Sequence, residues 1–165
     1  MNTEAEKRLR RCCFTGHRPE KLHITEQEAV KALRTAIRDA YNAGYRTFIS
    51  GMARGVDIWA AELVLEERAA HPDIHLICAL PHPGFETRWK AEWRLRYSAI
   101  LDRADLTKTI CPAFSMGAYQ KRNEWMVDHS NRVIAFFNGE PGGTANTIDY
   151  ARKRGVDVVI IGGSV

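Results

Sequence analysis

The sequence lacks any apolar run near the ~20 residues that a membrane-spanning helix needs. It begins with the charged segment MNTEAEKRLRR, which contains no apolar stretch typical of a signal peptide. These two absences predict a cytoplasmic protein without a membrane partner.

Cysteine is scarce, and none of the four cysteines belongs to a CxxC pair. Closely spaced cysteines usually mark disulfide scaffolds and zinc sites, so neither is expected, and the histidines lack metal-like spacing. No metal site is therefore predicted. The cysteines lie in apolar, strand-like stretches, where we expect mostly buried, reduced thiols: Cys12, Cys13, Cys78 and Cys111.

Several catalytic motifs are missing as well. No G-x-G-x-x-G follows a predicted strand and no acidic residue closes the second strand, which disfavours hydride transfer with a nicotinamide dinucleotide. The Walker A lysine motif and the G-x-S-x-G nucleophile elbow are absent, and no cysteine lies in a Cys–His nucleophilic arrangement. No obligatory cofactor is expected.

The composition is that of an ordinary globular protein, with 45% hydrophobic and 27% charged residues. The length suits a single domain, predicted over residues 1–165 with a flexible N-terminal tail over residues 1–10. The net charge of +4 suits a phosphate-bearing ligand, although many other partners would fit it too.

Strand-like apolar runs alternate with amphipathic helical segments along the chain. Strands are predicted over Arg11–Thr15, Tyr45–Ser50, Asp73–Leu80, Leu106–Cys111, Arg132–Phe137 and Val156–Ile161. Helices are predicted from the Thr25–Glu28 capping box to Gly44, and over Val56–Ala70, Phe85–Leu101, Met116–His129 and Ala145–Arg154. This alternation predicts an α/β, Rossmann-like, doubly wound fold: a mainly parallel six-stranded sheet with helices on both faces.

The unusual polar and glycine-containing segments all follow predicted strands. They are FTGHRPEKL, SGMARGVD, PHPGFE, FSMGAYQKRN and NGEPGGTANT. In a parallel sheet these segments share the carboxyl edge, where open α/β sheets bind their ligands. We therefore expect binding of a nucleotide or nucleotide-derived ligand at this edge.

Glycines and the residues beside them are the first candidate ligand contacts. Gly142, Gly143 and Thr144 lie at a strand-to-helix turn whose amides could bind a phosphate, or which could be a tight turn with a threonine cap. Gly51 and Gly55 bracket a similar turn. Asp57 follows in the next helix, where it either complements the helix dipole or accepts a bond from a ligand hydroxyl.

Charged side chains supply further candidates. His17 and Arg18 follow the first strand, and Arg18 either binds a phosphate or carboxylate bidentately or forms a surface salt bridge. Arg122 and Asn123 either face the ligand cleft or bind neighbouring loop carbonyls. The stripe of Trp89 and Trp93 is interpreted as core or as the interface of a homo-oligomer rather than as a base-stacking platform.

Four segments together resemble the YpsA family of bacterial proteins: FTGHRPEKL, SGMARGVDIWAAE, YQKRNEWMVDHS, and GGT followed by YARKRG. The resemblance runs from about Phe14 to Ile161. It implies a Rossmann-like domain of a group associated with nucleotide-related ligands, similar to the LOG enzymes, which cleave the base from nucleoside monophosphates, and to the DNA-processing protein A domain, which binds single-stranded DNA. The resemblance implies a ligand cleft built from Gly16, Arg18, Ser50, Gly51, Asp57, Gly142, Gly143 and Thr144.

One departure bears on catalysis. The LOG enzymes carry the motif PGGxGTxxE with a catalytic glutamate, whereas this chain has PGGTANTID, in which Asp149 is the nearest acid. Ligand sensing without catalysis is therefore placed first. A nucleotide hydrolase follows, with a carboxylate from Asp57, Glu62, Asp128 or Asp149. Single-stranded nucleic-acid binding comes third and is expected to be weak, because Glu86 and Glu92 interrupt the basic residues around Trp89.

Overall fold

The computed structural model of the chain describes residues 2–162. The domain expected over residues 1–165 also includes residues 1 and 163–165, which lie outside this range. Within this range six strands form one sheet: β1 (Arg11–Gly16), β2 (Thr47–Ser50), β3 (His75–Leu80), β4 (Leu106–Thr109), β5 (Arg132–Phe136) and β6 (Asp157–Ile161). Their spatial order is β4-β3-β2-β1-β5-β6, and every neighbouring pair is parallel.

Helices cover both faces of this sheet. They are α1 (Glu4–Arg8), α2 (Glu26–Asn42), α3 (Val56–Ala70), α4 (Ala91–Arg103), α5 (Ala118–Asp128) and α6 (Gly143–Lys153). Helices α2, α3 and α4 pack on one face around Phe14 and Phe48, and α5 and α6 pack on the other around Cys13 and Ile49. Alternate strand residues thus enter opposite cores. The predicted Rossmann-like, parallel six-stranded fold is confirmed.

The strand order creates a switch point beside β1. The chain runs from β1 outward through β2 and β3 to β4, and then returns to place β5 on the other side of β1. The loops after β1 and β5 therefore lead to helices on opposite faces and leave a crevice between them. Open α/β sheets bind ligands in such a crevice, at the carboxyl ends of the strands.

The sequence signals around α2 are confirmed. The Thr25 hydroxyl accepts a hydrogen bond from the Glu28 amide at 3.1 Å, and the Glu28 carboxylate accepts one from the Thr25 amide at 3.1 Å. After the helix, Gly44 takes a φ of +104°, a left-handed conformation that favours glycine.

The helix predicted over Phe85–Leu101 is wrong in its first part. Helix α4 begins only at Ala91, and Phe85 lies in a series of turns. Gly84 adopts a φ of +74°, and its carbonyl oxygen accepts hydrogen bonds from the Thr87 hydroxyl at 2.9 Å and the Thr87 amide at 3.1 Å. The periodic aromatic spacing in this segment therefore does not describe one helix face.

Other predicted boundaries differ by a few residues. Strand β4 ends at Thr109 rather than Cys111, and α6 begins at Gly143 rather than Ala145. The segment expected to be a flexible tail contains α1, which is capped by Thr3. All four cysteines are buried, as expected, and within residues 2–162 no helix is long and apolar enough to cross a membrane.

Candidate functional site

A cavity of about 490 Å³ lies at the carboxyl edge of the sheet. It is formed by the loops after β1, β2 and β3 together with the N-terminal parts of α3, α5 and α6. Its volume falls within the range typical of small-molecule sites. Nine of the predicted site residues line it: Gly16, His17, Arg18, Asp57, Arg122, Asn123, Gly142, Gly143 and Thr144.

The N-terminus of α6 opens directly into this cavity. Gly142 is the N-cap with a φ of +141°, and no side chain in the described part of the chain caps the helix. At both Gly142 and Gly143, the position that a Cβ would occupy has no other heavy atom of residues 2–162 within 4 Å, chain neighbours aside. Because the first amides of an α-helix have no intrahelical partner, this end offers hydrogen-bond donors and a positive dipole to an anion. Thr144 lies inside the first turn and does not cap it.

Basic side chains surround the same space. Arg18 and Lys21 are exposed at the cavity, Arg54 forms an ion pair with Glu20 at 2.6 Å, and Arg122 is buried. Asp57 is the acid among the lining residues. The cavity therefore has a positive balance of charge, which suits an anionic ligand.

Asp57 is a buried carboxyl group with few bonds. Its Oδ2 accepts a hydrogen bond from the Ala53 amide at 3.3 Å, and its Oδ1 has no hydrogen-bond partner among residues 2–162. Burial raises the pKa of Asp57 to about 6, although the charge of Arg122 and the Ala53 amide both favour ionisation. Such a shift in a cavity is a frequent property of functional carboxyl groups.

Arg122 has the geometry of both of its predicted alternatives, and its contact with a ligand stays a prediction. It lines the cavity, and its Nη1 also donates to the carbonyl oxygens of Gly51 and, at 3.5 Å, of Ala79. Its Nε donates to the Asn123 side chain at 2.9 Å. Burial lowers the pKa of Arg122, while the carboxylate of Asp57 raises it.

Three predicted contacts lie behind the cavity wall instead of in it. Ser50 donates its hydroxyl proton to the carbonyl oxygen of Asp57 at 2.8 Å and thereby holds the turn after β2. A Cβ on Gly51 would lie 3.0 Å from the Arg122 guanidinium, and a Cβ on Gly55 would lie 2.8 Å from Cδ of Pro19. These residues shape the site through packing.

His17 connects the two loops at the switch point. Its Nε2 accepts a hydrogen bond from the Asn138 amide at 3.3 Å, and its ring stacks on Phe137 with centroids 5.8 Å apart. The Asn138 side chain in turn donates to the carbonyl oxygen of Lys21 at 3.2 Å. Burial, with Lys21 nearby, lowers the pKa of His17. Asn138 was not predicted, because only the folded chain brings it to His17.

A cluster of rings was also missed, and it is called the aromatic wall below: Phe85, Trp89 and Tyr119. Phe85 contacts the other two rings edge-on, with centroids 5.2 and 6.5 Å away. The interpretation of Trp89 and Trp93 as core residues is confirmed in part, because both pack, partly buried, against the core around Phe14 and Phe48, and a homo-oligomer interface stays a prediction. Trp93 packs against Trp59, with centroids 6.2 Å apart, whereas Trp89 lines the cavity. The proline and glycine of PHPGFE were the available signal for a loop here.

Comparison with known protein sequences identifies a family and several relatives of this chain. A sequence model described as the YspA SLOG family (YpsA) matches residues 12–163. The SPbeta prophage-derived protein YoqJ of Bacillus subtilis (strain 168) is 35% identical over 118 residues, 64% of this chain and 69% of YoqJ. A UPF0398 protein of Bacillus cereus (strain AH187) is 29% identical over 150 residues, 86% of this chain and 82% of that protein.

Two solved structures share the fold. DNA processing protein A (DprA) from Streptococcus pneumoniae gives a TM-score of 0.66 at 18% identity, over 96% of this chain and 52% of DprA. DNA processing protein A from Helicobacter pylori gives a TM-score of 0.61 at 19% identity, over 93% of this chain and 65% of that protein. This chain thus spans about half to two thirds of the DprA chains, and at these identities the similarity shows a common fold.

Proposed function

The chain belongs to the YpsA (YspA SLOG) family, and we propose that it binds a nucleotide or nucleotide-derived ligand at the carboxyl edge of the sheet. The observation that carries this proposal is the uncapped N-terminus of α6, which opens into the basic cavity. A phosphate there would accept hydrogen bonds from backbone amides without a side chain in its way, because Gly142 and Gly143 leave the space open. Arg18, exposed at the cavity, supplies a charge-assisted bond to the same anion.

Binding without catalysis is the preferred form of this proposal. General acid–base catalysis by two carboxyl groups needs both in the site, and the lining residues supply Asp57 alone. Glu62 instead pairs with Arg96 at 2.6 Å, and Asp128 accepts a hydrogen bond from Tyr150 at 2.8 Å. A nucleotide hydrolase is the alternative that the raised pKa of Asp57 favours.

Single-stranded DNA binding is a second candidate, favoured by a specific observation. The DprA of Helicobacter pylori, which shares this fold, binds single-stranded DNA. Phe114, Met116 and Tyr119 are exposed in this chain, and Tyr119 lines the cavity, so bases could stack nearby. We expect weak binding that is lost as salt rises to ~0.2 M. Tight binding of a fluorescent oligonucleotide at that salt would move this candidate to first place.

A thermal-shift screen against mononucleotides, dinucleotides and ADP-ribose tests the proposal, since a ligand that prefers the folded state raises the melting temperature. The best hit is then titrated calorimetrically into Gly143→Asp, which places a negative charge where the anion would bind. Thr35→Asp is the control for the added negative charge, because Thr35 is exposed in the middle of α2 and does not line the cavity.

We expect Gly143→Asp to abolish binding and Thr35→Asp to leave it unchanged. Arg18→Ala is expected to weaken binding by roughly 1.5–3 kcal/mol, the value of a hydrogen bond to a charged group. Equal affinity of the parent, Gly143→Asp and Arg18→Ala, all folded, would contradict the proposed phosphate position.

A further inference from the structure

Trp89 is held at the cavity by a defined turn. Its amide donates to the carbonyl oxygen of Glu86 at 3.1 Å, and the turn before it is closed by the bonds between Thr87 and Gly84. The side chain is half-buried and lines the cavity. A large aromatic surface in a fixed position is thus left in contact with the ligand space.

The protein rings around Trp89 meet it at steep angles instead of stacking on it in parallel. Phe85 and Tyr97 meet the indole at interplanar angles of 81° and 86°, with centroids 5.2 and 5.6 Å away. Within residues 2–162, no ring lies parallel to Trp89 at stacking distance. Edge-to-face contacts fix the orientation of the indole, whereas offset stacking is the geometry that a flat ligand ring would adopt.

Tyr119, the other partly exposed ring of the aromatic wall, is engaged differently. The guanidinium carbon of Arg122 lies 5.7 Å from its ring centroid, a cation–π contact. Phe85 is buried between the two rings and supports them. Trp89 is therefore the member of the aromatic wall best placed to receive a ring from the cavity.

The charge distribution sets the class of ring. The basic side chains of the cavity and the α6 N-terminus favour an anionic group on the ligand, while the aromatic wall favours a flat, apolar group. A nucleotide carries both on one molecule, and a cavity of about 490 Å³ has room for it. We propose that Trp89 stacks on the base of a nucleotide whose phosphate lies at the N-terminus of α6. This inference rests on the proposed function and adds a subsite to it.

The test compares two probes, adenosine monophosphate and ribose 5-phosphate, which share the phosphorylated sugar and differ in the base. Both are titrated against the parent, Trp89→Ala, Trp89→Phe and the control Trp93→Phe. Trp93 packs against Trp59 and does not line the cavity. Tryptophan fluorescence is recorded in parallel, because stacking of a base on an indole quenches its emission.

Trp89→Ala is expected to weaken adenosine monophosphate binding about tenfold or more, while the affinity for ribose 5-phosphate stays the same. Trp89→Phe should restore part of the affinity but lose the quenching, and Trp93→Phe should behave like the parent. Equal loss for both probes, or no loss for either, would overturn the base subsite and leave the phosphate site standing. If neither probe binds the parent at millimolar concentration, the base subsite fails, whereas the proposed function is decided separately by the thermal-shift screen.

Discussion

The Nη1 of Arg122 on α5 donates a hydrogen bond to the carbonyl oxygen of Gly51, in the turn between β2 and α3. Since α3 and α5 cover opposite faces of the sheet, this buried cation connects the two layers across the carboxyl edge. The contact is close because Gly51 has no side chain: a Cβ there would lie 3.0 Å from the guanidinium. This part of the cavity wall therefore depends on the contact between Arg122 and Gly51, and neither α3 nor α5 forms it alone.

Arg122→Met tests this connection. It keeps much of the side-chain volume but removes the bond to Gly51 and the charge that favours ionised Asp57. We expect a loss of about 3 kcal/mol in the free energy of unfolding, measured by urea denaturation. Arg103→Met on the exposed surface of α4 is the control and should change stability by less than about 0.5 kcal/mol. Equal midpoints for the two variants would show that the connection adds no stability.

Gly16 is required for packing at the end of β1. A Cβ at this position would lie 2.6 Å from two side-chain carbons of Val56, so that α3 would have to move away from the strand. Gly16→Ala should therefore cost about 1–3 kcal/mol of stability. The double variant with Val56→Ala should lose less than the sum of the two single variants, because the smaller side chain relieves the contact.

Gly143→Ala is the comparison for this pair. Among the residues that the structure describes, none outside its chain neighbours has a heavy atom within 4 Å of its Cβ position, and its φ is not positive, so the stability of this variant should stay within about 0.5 kcal/mol of the parent. If Gly16→Ala were as stable as Gly143→Ala, the close approach of α3 and β1 would not be a packing constraint.

The sequence predicted the sheet and its edge from local signals. The α2 capping box and the bounds of α3 were correct because apolar periodicity and capping residues act over a few positions. The turns before α4 were missed, because the aromatic spacing there also fits a helix. Contacts such as that between His17 and Asn138 join residues far apart in the chain, and no local pattern reports them.

The glycines also combine a signal that is local in the sequence with contacts that only the folded chain creates. Their occurrence after strands predicted a ligand site at the carboxyl edge of the sheet, and a cavity lies at this edge. Which glycine leaves space for a ligand depends on neighbours from other elements. Gly16 and Gly51 face Val56 and Arg122, whereas Gly143 faces open space. Sequence alone could not separate these two groups.

Thr25→Ala tests a contribution that was readable from the sequence. It removes the hydroxyl that accepts from the Glu28 amide at the start of α2. The expected cost is about 1 kcal/mol in urea denaturation, since an N-cap substitution by alanine leaves a first-turn amide without its partner. Thr25→Ser, which keeps the hydroxyl, should restore the parent value; a loss of equal size in both variants would contradict the capping role.

Asp57 gives the last prediction, on the pH dependence of stability. Its pKa is about 6 in the folded chain and near 3.8 when unfolded, so the folded state binds more protons between these values. This carboxyl group therefore makes the folded parent less stable as the pH rises from about 4 to 6, and Asp57→Asn removes that effect. The difference in unfolding free energy, Asp57→Asn minus parent, should increase by about 2.4 kcal/mol from pH 4 to pH 7. His17 has a lowered pKa and contributes the opposite slope, but it is present in both proteins and largely cancels in the difference. Urea denaturation of both proteins at several pH values measures this difference, and a constant value across the range would show that Asp57 is not held in a buried, charge-disfavouring site.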